Sequence, residues 1–124
     1  MSVLSIDHVQ LAIPAGGEEK ARAFYGALLG LPEKAKPQPL AARGGCWFER
    51  GDVKIHLGVE TPFRAARRAH VAFLFENIDG LAGRARAEGL EVVEDGELDE
   101  VKRIFVFDPF GNRLEFIDFR GENV

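Results

Sequence analysis

Polar and apolar positions alternate along Ile6-Asp7-His8-Val9-Gln10-Leu11-Ala12-Ile13, with Val9, Leu11 and Ile13 on one side and His8, Gln10 and Ala12 on the other. That period of two predicts a half-buried strand. From Glu18 to Leu29 the period changes: Ala21, Phe24, Tyr25 and Leu28 fall at i, i+3, i+4 and i+7, one apolar stripe of a helix. Gly16 and Gly17 precede it, and Glu18 and Glu19 suit its positive N-terminal end. Gly30 closes it, and Pro32 blocks continuation.

The same order returns further along. Ala69-His70-Val71-Ala72-Phe73-Leu74-Phe75 alternates, with Val71, Phe73 and Phe75 set against His70, Ala72 and Leu74. Ile78, Leu81, Ala82 and Ala85 form a second helical stripe ended by Gly89, with Asp79 as a candidate cap. Each helix is followed by a hairpin. One runs from Cys46 to Arg50, turns at Gly51-Asp52 and returns from Val53 to Val59. The other runs from Arg103 to Phe107, turns over Asp108-Pro109-Phe110-Gly111-Asn112 and returns from Arg113 to Phe119. His8 and His70 are 62 positions apart, Gly30 and Gly89 59, and Gly51 and Gly111 60.

A whole unit of one helix and about four strands is therefore duplicated, and two copies fit a pseudo-symmetric pair better than an array. The predicted class is α+β: a single domain over 1–124 built of two tandem βαβββ modules, 1–60 and 69–124, joined by a linker over 61–68. Lys34 to Pro39 reads as a loop inside the first module. An amphipathic helix covers one face of its sheet and leaves the other open. Two curved mixed sheets related by a pseudo-twofold would then enclose a cavity between their open faces.

Parity places the chemistry on those open faces. In Val53 to Val59, Val53, Ile55, Leu57 and Val59 form the apolar side and Lys54, His56 and Gly58 the other. In Arg113 to Phe119, Leu114 and Phe116 oppose Arg113, Glu115 and Ile117. His8, His56, His70 and Glu115, which include every histidine of the chain, thus fall on uncovered faces of equivalent strands. Imidazole and carboxylate without thiolate suit a divalent ion such as Zn, Ni, Co, Mn or Fe. A lone histidine on a strand is more often packed than ligating, and Glu115 alone would read as an ion-pair partner; the coincidence of four positions carries the assignment. Counted from the turn glycines, His56 is five residues past Gly51 and Glu115 four past Gly111, so His56 reads as displaced by one position. Gln10, Lys54 and Arg113 share the open faces and are candidate substrate contacts. Of Trp47 and Phe48, alternation assigns one to the core and leaves the other, Trp47 in this reading, to line the site.

Composition narrows the function classes. Of 124 residues, 46% are hydrophobic and 29% charged, as in a soluble globular domain. A net charge of -4 opposes a nucleic-acid groove. The short cluster Arg64, Arg67 and Arg68 reads as solvated surface. The one cysteine, Cys46, has no internal disulfide partner, which points to a reducing cytoplasmic setting and a buried structural thiol. No signal peptide and no membrane-spanning apolar run is read from the sequence.

Asp7-His8-Val9-Gln10-Leu11, Ala23-Phe24-Tyr25 through Leu29-Gly30-Leu31, Ala69-His70-Val71-Ala72, and Asp108-Pro109-Phe110-Gly111-Asn112-Arg113-Leu114-Glu115-Phe116 together resemble the vicinal-oxygen-chelate superfamily. That group holds glyoxalase I, methylmalonyl-CoA epimerase, extradiol dioxygenases, fosfomycin-resistance thiol transferases and bleomycin-resistance proteins. The resemblance covers nearly the whole chain and is nearest to short bacterial glyoxalase-like members. It implies a divalent metal cofactor, with His8, His70 and Glu115 at the usual ligand positions, and His56 where glyoxalase I carries a glutamate. It implies lyase or isomerase chemistry on a small oxygen-chelating substrate, with Glu115 or His56 as base, and a homodimer. Two alternatives follow from the same resemblance: a ring-cleaving dioxygenase using His8, His70 and Glu115, and a non-catalytic resistance protein that sequesters a small molecule.

Overall fold

The computed structural model describes residues 1–95 and 101–119; residues 96–100 and 120–124 of the second predicted module lie outside them. The chain divides into two compact units, Met1–Arg64 and Ala65–Val124, referred to below as module one and module two.

Module one begins with β1 (Val9–Ile13). The helix that follows is α-helical over Glu18–Ala21 (α1) and continues as a π-helix over Arg22–Leu28. The stripe read from sequence is the buried one: Ala21, Phe24, Tyr25 and Leu28 are each 3% exposed or less. The π-helical continuation was not legible in that stripe. Its wider turn is closed by the Leu29 N–H donating to the Phe24 carbonyl at 2.9 Å. Gly30, at φ 76, ends the helix in the left-handed conformation its position requires. The predicted loop from Lys34 to Pro39 instead contributes to two short elements, β2 (Glu33–Lys34) and α2 (Gln38–Ala41). β3 (Cys46–Arg50) and β4 (Val53–Val59) form the expected hairpin.

The sheet order is β1-β4-β3-β2, with β1 parallel to β4 and the other pairs antiparallel. The helix packs on the Phe48 side of this sheet: Tyr25 lies 6.1 Å from Phe48 between ring centroids. A side chain at Gly26 would come within 3.4 Å of the same ring, so the missing side chain permits the close approach. Phe48, not Trp47, is the core member of its pair. Cys46 is buried, and burial pushes its thiol up to about 11, the behaviour of a structural rather than a nucleophilic cysteine.

Module two repeats the plan with β5 (Val71–Phe75), α3 (Ile78–Ala87), β6 (Val92–Asp95), β7 (Arg103–Phe107) and β8 (Arg113–Asp118), in the order β5-β8-β7-β6. β5 is again parallel to β8, and the other pairs are antiparallel. The cap of α3 is Asn77, not Asp79. Its extended backbone lets its side-chain oxygen accept from the Gly80 N–H, while Asp79 lies within the first turn. Ile78, Leu81, Ala82 and Ala85 are buried, as are Ile104, Val106, Leu114 and Phe116 of the sheet. Both modules are thus α+β with four-stranded mixed sheets. Among the described residues, no helix is long and apolar enough to cross a membrane.

The turn between β7 and β8 is a buried polar knot. Asp108 accepts from the Phe110 and Asn112 N–H groups and from the Asn112 amide, each at 2.9 Å. Asn112 in turn accepts from the Ala66 N–H at 2.9 Å, and the Arg113 N–H donates to the Ala66 carbonyl at 2.8 Å. The Asp-Pro-Phe-Gly-Asn segment therefore fixes both the entry to β8, which carries Glu115, and the chain four residues ahead of His70.

Candidate functional site

Cross-strand register shows which positions of the two modules correspond. The parallel ladders open with Val9 opposite Ile55 and with Val71 opposite Leu114. His8 and His70 each lie one residue ahead of those pairs, just before the strand rather than inside it as the alternation predicted. His56 and Glu115 each lie one residue beyond Ile55 and Leu114, opposite Gln10 and Ala72. His56 is therefore equivalent to Glu115 and is not displaced. The glycine count misleads because the second turn is longer than Gly51-Asp52.

In module one, His56 is 6% exposed although it sits on the face away from the helix. The Trp47 ring stacks on one side of it at 3.9 Å, and the His8 ring on the other at 4.3 Å. Its Nε2 lies 2.7 Å from the Glu49 carboxylate. The hydrogen bond from His56, aided by Lys34 at 3.3 Å, holds Glu49 below the ordinary carboxylate range. His8 Nδ1 lies 2.9 Å from Asp7, which that bond holds below its ordinary range, with help from the Lys54 charge at 4.0 Å. Gln10 leans over Gly58, where an added side chain would meet the Gln10 amide nitrogen at 2.5 Å.

In module two, His70 Nε2 and Glu115 Oε1 are 2.9 Å apart. The other ring nitrogen, Nδ1, lies 2.9 Å from the Arg68 carbonyl, which can only accept, so Nδ1 carries a hydrogen. Glu115 Oε2 accepts from Arg103 at 3.1 Å, and the same guanidinium binds Asp95 at 2.6 Å. Burial alone would push the Glu115 carboxyl up, but the bonds from His70 and Arg103 outweigh it and hold the group below its ordinary range. Phe105, opposite Glu115 in the ladder, is the floor of this cluster. His70 meets it edge-on at 5.8 Å, and the guanidiniums of Arg113 and Arg103 lie 4.0 and 5.4 Å from its centroid. From the linker, Arg67 stacks on Phe107 at 4.2 Å. Arg67 thus has a packing partner on one face and still stays exposed, in keeping with the solvated surface predicted.

Each module therefore brings its own predicted residues together, His8 with His56, Trp47 and Lys54's partner Asp7, and His70 with Glu115. Among the described residues, no three His, Cys, Asp or Glu side chains converge as a ready metal cage. Sequence reading missed Glu49, Arg103 and Phe105. All three share the open-face parity of their strands, Trp47 with Glu49 and Arg103 with Phe105, so alternation carried a signal for them.

Comparison with known proteins agrees with this architecture. The family model described as Glyoxalase/Bleomycin resistance protein/Dioxygenase superfamily matches residues 5–116. A protein from Bacillus anthracis assigned to the glyoxalase family is 48% identical, with 97% of this chain and 98% of that one covered and a TM-score of 0.87. Two more distant structures share the fold. The fosfomycin resistance protein FosX from Listeria monocytogenes is 18% identical, with 98% of each chain covered and a TM-score of 0.77. A glyoxalase/dioxygenase from Nostoc punctiforme is 18% identical, with 97% and 98% covered and a TM-score of 0.74. No curated protein matches the chain.

Proposed function

The chain belongs to the glyoxalase/bleomycin resistance protein/dioxygenase superfamily, and on that premise we propose that it is a divalent-metal-dependent enzyme of lyase or isomerase type acting on a small oxygen-chelating substrate. The proposed ligands are His8, His56, His70 and Glu115. Gln10, Lys54, Arg113 and Trp47 are the proposed substrate contacts.

One observation carries the reading. With Nδ1 of His70 donating to the Arg68 carbonyl, Nε2 is turned to a carboxylate oxygen 2.9 Å away, and it either donates a proton to that oxygen or, once deprotonated, turns a lone pair toward it. Two acceptors at that distance repel unless a cation, a proton or a metal ion, lies between them. His70 and Glu115 would be the residues that hold a divalent ion in place of that proton, since neutral imidazole and carboxylate are both ordinary ligands of such ions. The other imidazoles fit the same pattern. His8 Nδ1 is tied to Asp7 and His56 Nε2 to Glu49, leaving one lone-pair nitrogen on each ring. A second partner of this kind is what orients a ligating imidazole.

A bound divalent ion would act as a Lewis acid on adjacent substrate oxygens and acidify a neighbouring C–H. The chain's own groups divide the remaining work. Glu115, kept anionic by His70 and Arg103, suits holding positive charge better than accepting a proton. Of the two candidate bases, His56 fits the shuttle better, in a state where its Nδ1 is not itself ligating: Glu49 fixes the ring at Nε2 and leaves that one nitrogen to accept. Trp47, stacked on that ring, excludes water from one of its faces.

Metal analysis of protein purified without chelators tests the reading, with about one divalent ion per chain expected and its loss in His70→Ala. Absence of stoichiometric metal in the wild-type protein would overturn it. Anaerobic iron loading followed by catechol assay separates the two chemistries: ring cleavage would replace the lyase or isomerase assignment with a dioxygenase.

A further inference from the structure

We propose that Arg113 is an anion-recognition point on the open face of module two, and that the enzyme's substrate carries an oxyanion, a carboxylate or a phosphoryl group, which this guanidinium binds. The assignment to substrate rests on the function proposed above; the anion point itself rests on a difference between the modules.

Lys54 and Arg113 are equivalent, each one residue ahead of the pair that opens its parallel ladder. Asp7 and Ala69 are likewise equivalent, each preceding a histidine. In module one the cation has its carboxylate, with Lys54 Nζ 4.0 Å from Asp7. In module two the acidic position is Ala69, and Arg113 makes no ion pair with any described residue. Its guanidinium instead rests on the Phe105 ring at 4.0 Å, with Nε buried and without a hydrogen-bond partner among the described residues. Arg103 is the informative contrast. Its Nε is also buried and unbonded, but its terminal nitrogens are committed to Glu115 and Asp95. Of these two guanidiniums, Arg113 is thus the one without a carboxylate partner among the described residues.

A guanidinium stacked on an aromatic ring is held in one plane, and its terminal nitrogens present a fork that matches carboxylate and phosphoryl oxygens. The same ring is met edge-on by His70 at 5.8 Å and lies opposite Glu115 in the ladder, so the guanidinium and the His70–Glu115 pair share one floor. An anion held there would carry the rest of a small substrate toward Glu115.

The test uses the full chain, labelled with 15N, with inorganic phosphate and acetate titrated separately at constant ionic strength. The Arg113 Nε–H signal is the reporter, assigned by its absence in R113Q. A saturable shift with either anion is expected, the tighter of the two identifying the substrate's group. A69D places a carboxylate where module one has Asp7, at an exposed position where it leaves the fold intact. It is expected to weaken anion binding at least tenfold. Absence of a saturable shift with both anions, or unchanged affinity in A69D, would overturn the proposal. Zinc calorimetry on the same samples separates the two readings. Zinc binding without anion binding removes only the anion point. Anion binding without zinc leaves that point standing and removes the metal reading.

Discussion

In module one the imidazole of His56 is held by a carboxylate, Glu49; in module two the carboxylate of Glu115, at the equivalent position, is held by an imidazole and a guanidinium. The backbone register is the same in both. What differs is the side chain supplied from the neighbouring strand. Module one offers Trp47 and Glu49 from β3, and its imidazole is sandwiched between rings and stays nearly buried. Module two offers Arg103 and Phe105 from β7, and its carboxylate is kept charged. A duplicated scaffold has thus been given two electrostatic characters by changes on strands adjacent to the proposed ligands. The lesson is that equivalence of backbone position does not imply equivalence of role.

The two modules should respond unequally to matched substitutions. The largest effect is expected in the core. Phe48 is fully buried beneath the helix, whereas its register equivalent, Val106, is much smaller. Phe48→Ala should cost about 3–5 kcal/mol and Val106→Ala clearly less, measured by urea unfolding; equal losses would show that the two cores are loaded alike. Next is the knot particular to module two. Asn112→Ala strips partners from the buried Asp108 carboxylate and the Ala66 N–H, and should cost about 2–4 kcal/mol. That corresponds to a melting temperature lower by roughly 10 °C, read by calorimetry. Glu49→Gln removes the charge that fixes His56 and should weaken zinc binding about tenfold or more with little change in stability, by calorimetric titration.

The smallest effect is a pH dependence in module one. The Gly45 N–H donates to Glu18 at 2.7 Å and is the main cause holding that carboxyl below its ordinary 4.5. A depressed carboxyl stabilises the fold above its unfolded value, and the contribution fades as pH falls through the folded one. Glu18→Gln should therefore flatten the loss of stability below about pH 5. A variant whose acid profile superimposes on the wild type would remove Glu18 from the account.

Much of this was legible in the sequence because a period of two is insensitive to small errors in strand ends. His8 and His70 lie just outside β1 and β5, yet their parity still placed them with His56 and Glu115. The same alternation assigned one of Trp47 and Phe48 to the core, and burial shows that it is Phe48. What failed depended on register or on local geometry. Counting from Gly51 and Gly111 displaced His56 by one position, because turn length is not conserved between the modules while the ladder is. Glu49 and Arg103 were missed because pairing across an antiparallel strand cannot be fixed from one strand's own pattern. The cap of α3 went to Asn77 because capping depends on the backbone conformation just ahead of the helix, which composition does not reveal. The π-helical turn over Arg22–Leu28 leaves the apolar stripe unchanged, so spacing could not report it.

The most direct test is a cobalt(II) titration of the metal-free chain, followed through the visible absorption of the bound ion. Saturation is expected at about one cobalt per chain, with affinity falling at least about a hundredfold in both His70→Ala and Glu115→Gln, since losing a ligand costs more than the roughly 10–100-fold typical of losing a ligand's partner. Cobalt that fails to saturate, or binds both variants as tightly as the wild type, would contradict the metal reading.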